Sequence, residues 1–335
     1  MALLTIFQQQ TDEDHRLSMN DLIAELDHQG ISAERKALYR SIQALKENGY
    51  DIRTSRGGGT TGYYLCRNWT MEEVLVLRDA VNDSFSLSET ASEQLIQKLE
   101  AQLSPFQQKQ LPPAAPAPNK TDNPHVLDII TLLIAAIARR RMVEFRYYDL
   151  TVTRQKRYRR NQAVYRYLPV SILENGGRYY CVFYSEKHRN FANYRIDKMT
   201  SVKVSDVTAD PVRFDAGRWA ETAFQMYHGD PVTIQLKCDN SLIPIVFDQF
   251  GKEVLISAAD ESSFTVHLKS SVTPTLVSWI LMFYDRIKVL GPQELIDQLM
   301  IIASSLQESY LGYNTDKEAS HEQSRRKDPA ASNHH

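Results

Sequence analysis

Cysteine is scarce in this chain: Cys66, Cys181 and Cys238 are the only three in 335 residues, and they lie far apart. An odd, scattered set excludes a disulfide framework and a cysteine-rich metal cluster. The nine histidines show no metal-ligand spacing, and no His-Glu-x-x-His occurs. Long apolar runs are missing as well. The best run, Val126 to Ala138, carries Asp128 and falls short of the roughly 18 residues that a membrane helix needs. The opening MALLTIFQQQ lacks the basic start and small-residue cleavage site of a signal peptide, so a cytoplasmic protein without a membrane partner is expected. The segment RGGGTTG lacks the Gly-Lys-Ser/Thr of a phosphate loop and suits a hairpin turn better. The carboxylates form no cluster, and Cys181 sits in an apolar strand, as a small core residue does. No catalytic constellation emerges, so neither an enzyme nor a bound cofactor or metal is expected.

A net charge of −2 hides a strong segregation. Residues 139–203 hold 16 Lys and Arg against 5 Asp and Glu, net +11, whereas residues 69–138 sum to −5 and residues 204–311 to −7. Like charges repel, so soluble surfaces intersperse the two signs, and a one-signed block points to an anionic partner. Nine of the 17 tyrosines lie between Tyr147 and Tyr194. Arginine pairs phosphate and tyrosine stacks on bases, which together suit an anionic ligand with flat rings. Core strands are the alternative place for some of these tyrosines.

The length allows two domains with room for a third, at roughly 150 residues each. Four blocks are legible. Residues 1–68 read as helices followed by a glycine-rich hairpin, and residues 69–124 as a helical and then proline-rich linker. In the linker, Val74, Leu77 and Val81 keep helical spacing, Ser88 can cap a helix carrying Leu95, Leu99 and Leu103, and LPPAAPAPNKTDNP packs five of the 13 prolines into an extended spacer. Residues 125–228 open with a helix over Val126–Arg139 and turn into short alternating strands: VEFRYY, VYRYLPVSIL, RYYCVFY and NYRIDKMTSVKVSD. Such strands with turn signals between them predict a small, strongly curved sheet or barrel. Residues 229–314 alternate strand and helix, with Pro292 at the start of the last helix, which predicts an α+β sandwich. Residues 315–335 are polar and expected to form a disordered tail.

The first block has a specific grammar. Ser18 caps a short helix with Leu22, Ile23 and Leu26 inward, and Gly30 breaks it. Ser32 is the expected cap of a second helix with Leu38, Ile42 and Leu45 inward. Its outward face carries Arg35, Lys36, Tyr39, Arg40, Gln43 and Lys46, and Gly49 ends it. YDIRTS and GYYLC follow as two strands around RGGGTT. Helix, turn, helix and hairpin predict a winged helix-turn-helix, whose second helix reads base edges while the wing touches backbone phosphate. Residues 31–67 carry net +4, where DNA contact requires it. Ser32, Arg35, Lys36, Tyr39, Arg40, Gln43 and Arg56 are the candidate DNA contacts.

The run AERKALYRSIQALKENGYDI before a glycine-rich wing resembles the start of bacterial WYL-domain transcriptional regulators. GRYYCVFYSEKHRNFANYRIDKMTSV resembles the signature strand of that family and its arginine-bearing return strand. The Trp-Tyr-Leu triplet falls on Tyr179, Tyr180 and Cys181, of which Tyr180 is shared. WILMFYDRIKVLGPQELIDQLM resembles the C-terminal extension of these proteins. The resemblance covers about residues 5–311, with its pieces in the expected order. It implies an α+β multidomain chain: winged helix-turn-helix, helical linker, small Sm-like β-barrel and α+β C-terminal domain. It also implies a homodimer that binds a double-stranded DNA operator and senses a nucleotide or oligonucleotide. Tyr180 and Arg195 are the effector-facing residues that the resemblance implies, and Arg166, Tyr184 and Arg189 are added from charge and strand proximity. A salt bridge to Asp197 is the alternative role of Arg195. Two rival functions fit the same sequence. One is a protein that binds RNA or single strands through the barrel, and the other a nuclease targeted to DNA.

Overall fold

The computed structural model describes the chain except residues 58–59, 117–118, 218, 220–230, 258–259 and 327–335, and it omits the side chains of residues 56–60, 231 and 312–326. Two compact units divide at Pro211 and Val212.

The first unit opens with α1 (Ala2–Gln10), β1 (Leu17–Ser18), α2 (Met19–His28), α3 (Arg35–Glu47), β2 (Ile52–Gly57) and β3 (Thr60–Leu65). The strands pair antiparallel in the order β1-β3-β2, so the short strand before α2 is clamped to the hairpin after α3. Two helices followed by an antiparallel hairpin thus stand in the order that the sequence suggests. Ser18 caps α2 as foreseen, its hydroxyl accepting from the Asp21 N–H while the Asp21 carboxylate accepts from the Ser18 N–H. The expected cap of α3 is corrected: α3 starts at Arg35 with Glu34 at the cap position and no side-chain cap. A cap must reach the N–H groups of the first turn, and Ser32 stands too far upstream to do so. Leu22, Leu26, Leu38 and Ile42 are buried against Ile6, Phe7 and Ile52, and Leu45 packs partly buried beside them.

The linker forms α4 (Met71–Asp83), α5 (Glu89–Glu100) and α6 (Pro105–Gln110). Thr70, Ser88 and Ser104 cap the three helices. The inward face of α4 differs from the apolar one expected: Val74, Arg78 and Asn82 are buried, while Leu77 is exposed. The reason lies in the proline-rich spacer, whose carbonyls have no helical partners and must find donors. Arg78 donates to the Pro112 carbonyl at 2.7 Å and Asn82 to that of Ala115 at 3.0 Å. Farther on, Lys120 donates to the carbonyls of Val81, Asn82 and Ser84 and so closes the end of α4.

Next come α7 (Val126–Arg139), β4 (Arg141–Leu150), β5 (Lys156–Tyr158), β6 (Tyr165–Asn175), β7 (Arg178–Ser185), β8 (Asn190–Arg195) and β9 (Met199–Thr208). The sheet runs β5-β4-β6-β7-β8, with β9 also on β4, and all its pairs are antiparallel. Register shifts in the β4–β9 and β6–β7 pairs let long strands curl into a half-barrel. One helix followed by a bent, six-stranded antiparallel sheet matches the small, strongly curved sheet expected. Ile129, Leu133 and Ala136 of α7 close one side of its core on Phe145, Cys181, Phe183 and Ile196.

The second unit holds β10 (Pro231–Asp239), α8 (Ile243–Phe250), β11 (Leu255–Ser257), β12 (Ser263–Ser271), α9 (Pro274–Met282), β13 (Ile287–Gly291) and α10 (Gln293–Arg326). Its sheet order is β11-β12-β10-β13. Alternate residues Ile234, Leu236 and Cys238 of β10, with Phe264, Val266 and Leu268 of β12, share one core with Val246, Leu276, Trp279, Ile280 and Leu295 of the helices. This is the α+β sandwich expected. Pro292 directly precedes α10, and its carbonyl accepts the Leu295 N–H. Helical backbone continues to Arg326, through residues 315–326 of the expected tail. The expected boundary at 228–229 and residues 327–335 lie outside the described residues.

Candidate nucleic-acid interface and effector site

The expected outward face of α3 is exposed: Arg35, Lys36, Tyr39, Arg40, Gln43 and Lys46 lie opposite Leu38 and Ile42. Gln43 is braced by a 3.0 Å bond to Glu47. Burial, and then the neighbouring Tyr39, pushes the phenol of Tyr63 on β3 up. Ser32 is exposed in the turn before α3. Arg56 stands on β2 opposite Thr61, near the wing tip, and its side chain lies outside the described residues.

The N-terminal helices and hairpin are fastened to the linker through one buried carboxylate. Asp12 is 2% exposed and accepts from Ser104 Oγ at 2.5 Å, His15 Nδ1 at 2.8 Å and two backbone N–H groups. Burial works to raise its pKa, but the bonds from Ser104 and His15 outweigh it and hold Asp12 below the usual carboxylate value. The His15 ring stacks on Phe106 of α6 at 3.7 Å.

The basic segment resolves into three parts. Of its nine tyrosines, Tyr147, Tyr148 and Tyr165 are buried, and Tyr167, Tyr179 and Tyr194 pack against the core. Most of the tyrosine cluster is therefore core, where rings fill a bent sheet efficiently. Burial pushes Tyr147 up to about 12.

Tyr180 and Arg195 come together, paired across β7 and β8. Arg195 forks onto the buried carboxylate of Asp197, with Nε at 3.0 Å and Nη2 at 2.6 Å. Burial works against the Arg195 charge, and Asp197 more than compensates. Arg178 stands 3.9 Å from the same carboxylate. Asn123 and the Tyr148 hydroxyl both donate to the Asp197 carbonyl, so this corner is held from three elements.

Arg166, Tyr184 and Arg189 lie toward the other end of the β7–β8 hairpin. Tyr184 packs on Phe191, and Arg189 is exposed in the turn. Arg166 faces Glu144 at 3.8 Å and lines a cavity of about 500 Å3 with Arg160, Lys187, His188, Tyr165 and Tyr167. Arg160, Lys187 and His188 escaped the sequence reading. Their only signal was local charge, in KRYRR and EKHR, which does not say which side chains converge.

The linker also touches this domain. The Phe85 and Ser86 N–H groups donate to the Gly177 carbonyl at 2.7 and 3.2 Å, the Tyr179 N–H donates to Ser86 Oγ at 2.7 Å, and Arg178 lies over the Phe85 ring at 4.8 Å. Among the described residues, no helix is long and apolar enough to cross a membrane, and no three His, Cys, Asp or Glu are placed to hold a metal.

No curated protein matches the chain. Among solved structures it aligns with proteasome accessory factor B/C (PafBC) of Arthrobacter aurescens at 15% identity and a TM-score of 0.28, over 89% of this chain and 46% of that one. The chain thus spans less than half the length of that protein. Family profiles match residues 128–204 as WYL domain and residues 230–306 as WCX domain. The first covers α7 through most of β9, and the second covers β10 into α10. The chain thus carries a match to the WYL domain followed by a match to the WCX domain, in the order that its sequence suggests.

Proposed function

We propose that the protein is a DNA-binding transcription regulator whose WYL domain senses a nucleotide or oligonucleotide. The observation that carries the reading is the exposed donor face of α3, presented by a winged helix with its wing alongside. Long donors on such a helix reach base edges, and phosphate contacts set their register. Ser32, Arg35, Lys36, Tyr39, Arg40, Gln43 and Arg56 are the proposed DNA contacts. A two-fold symmetric operator calls for a homodimer, since one winged module makes a small interface.

The effector acts on the basic sheet through Arg166, Tyr184 and Arg189, and on the Tyr180–Arg195 corner. An anion reaching Arg195 has to exchange places with Asp197. The hairpin turn at Gly177 and Arg178 meets the linker at Phe85 and Ser86, and the linker meets the winged domain at Asp12. An effector that binds two arrangements of this connection unequally shifts DNA affinity.

The test is to sequence duplex fragments retained by the chain, with and without added nucleotides and short oligonucleotides. A shared inverted motif whose retention changes with effector is expected. Retention without sequence preference, or tighter binding to single-stranded DNA or RNA than to any duplex, would sink the reading.

A further inference from the structure

The cavity beside Arg166 has what the Arg195 corner lacks. Its volume of about 500 Å3 lies within the roughly 300–1,000 Å3 of small-molecule sites. Arg160, Arg166, Lys187 and His188 converge on it. Glu186 also lines it, and Glu144 reaches Arg166 only through a long, exposed contact. Among the described residues, Arg160 and Lys187 have no carboxylate within ion-pair distance. Arg160 is instead held over the Tyr165 ring at 4.8 Å, so its guanidinium is oriented before any ligand arrives.

The wall is also strained. Arg160, Asn161 and Gln162 hold φ of 50°, 51° and 67° in succession, and Arg189, next to His188, holds 51°. Left-handed backbone is uncommon outside glycine and collects at ligand sites. Arg195, by contrast, already spends both arms of its fork on Asp197.

We propose that this cavity seats the phosphate of the effector, and that it takes a dianionic phosphate monoester: a mononucleotide, or the terminal phosphate of an oligonucleotide. The proposal rests on the effector reading above and gives it a place. An internal phosphodiester carries one charge, whereas a monoester carries close to two near neutral pH. Two arginines, a lysine and a histidine around one cavity match the larger charge, and a guanidinium grips phosphate oxygens in pairs. A recess of this size also admits the end of a strand more readily than its middle.

Isothermal titration of the full chain tests this with adenosine, AMP, and a short single-stranded DNA with and without a 5′ phosphate. AMP or the phosphorylated strand should bind, adenosine should not, and removing the 5′ phosphate should weaken the strand about tenfold or more. Arg166→Ala and Lys187→Ala, each checked for native circular dichroism, should each lose about tenfold, and Arg157→Ala, an exposed arginine outside the cavity, should bind as wild type. Equal affinity for strands with and without the phosphate overturns the proposal. So does wild-type affinity in a natively folded Arg166→Ala/Lys187→Ala double variant. Either result leaves the effector reading standing. If no nucleotide or strand binds the wild-type chain, both fail.

Discussion

At the residue scale, arginine in this chain serves two different ends. Arg35 and Arg40 are exposed on α3, where a specific base contact is worth about 1–3 kcal/mol. Arg35→Ala and Arg40→Ala should therefore weaken operator binding by about tenfold to a hundredfold each, with unfolding midpoints unchanged. Gel-shift titration beside thermal unfolding checks both halves of the statement. Arg195 is the opposite case. Among the described residues, removing it leaves Asp197, 4% exposed, with the distant Arg178 as its one ion-pair partner. A buried carboxylate stripped of a forked partner costs about 2–4 kcal/mol. Arg195→Ala should lower denaturant stability by that amount, and Arg195→Lys by less, since it keeps the charge and loses the fork. Unchanged stability in Arg195→Ala would remove the bracing role.

At the scale of elements, two joints connect the linker to its neighbours. Gly177 has φ +74°, and a Cβ there would stand 2.6 Å from the Phe85 ring and 3.1 Å from the Asp83 carbonyl. Gly176 also has positive φ, but a Cβ there meets nothing within 4 Å. Gly177→Ala should thus cost about 1–3 kcal/mol more than Gly176→Ala, because the overlap comes on top of the shared backbone penalty. It should also blunt the effector's influence on DNA affinity, which a titration of operator binding with effector reads. The other joint is the Asp12 site. Its carboxyl is held below the unfolded value of about 3.8. The stability it adds is complete above that value and disappears as pH falls through the lower folded one. Unfolding midpoints between pH 5 and pH 2 should therefore fall more steeply for the wild type than for Asp12→Asn. Parallel profiles would show that the joint does not depend on this charge.

At the scale of the molecule, the cores respect the division at Pro211. The N-terminal and WYL cores lie wholly in residues 1–211, and the third core wholly beyond them. A fragment of residues 1–211 should fold alone and keep operator contacts. Exposed apolar residues gather on α10, among them Met300, Ile301, Leu306 and Tyr310, the kind of surface that a second copy covers. The full chain should therefore have about twice its 38.4 kDa mass in solution, and the fragment should be monomeric with weaker operator binding. Light scattering of both decides this.

Local patterns made much of this legible. The helix Val126–Arg139, the strand alternation after Arg141, the Ser18 cap and the outward face of α3 are set by residue spacing, so periodicity alone reveals them. The +11 segment, too, is a property of composition and needs no coordinates. What composition could not do was sort that segment. Tyr165 and Tyr184 look alike in sequence, yet one is core and the other lies on the sheet, because strand register and curvature choose the face. The buried Arg78 and Asn82 of α4 are likewise explained only by spacer carbonyls more than 30 positions away. The same holds for the cavity, whose Arg160, Arg166 and Lys187 come from different segments of the chain. The sequence alone determined which groups this protein carries and which elements bear them. Only the tertiary structure decided which arginine meets a carboxylate and which faces a cavity, since that depends on distances between residues far apart in the chain.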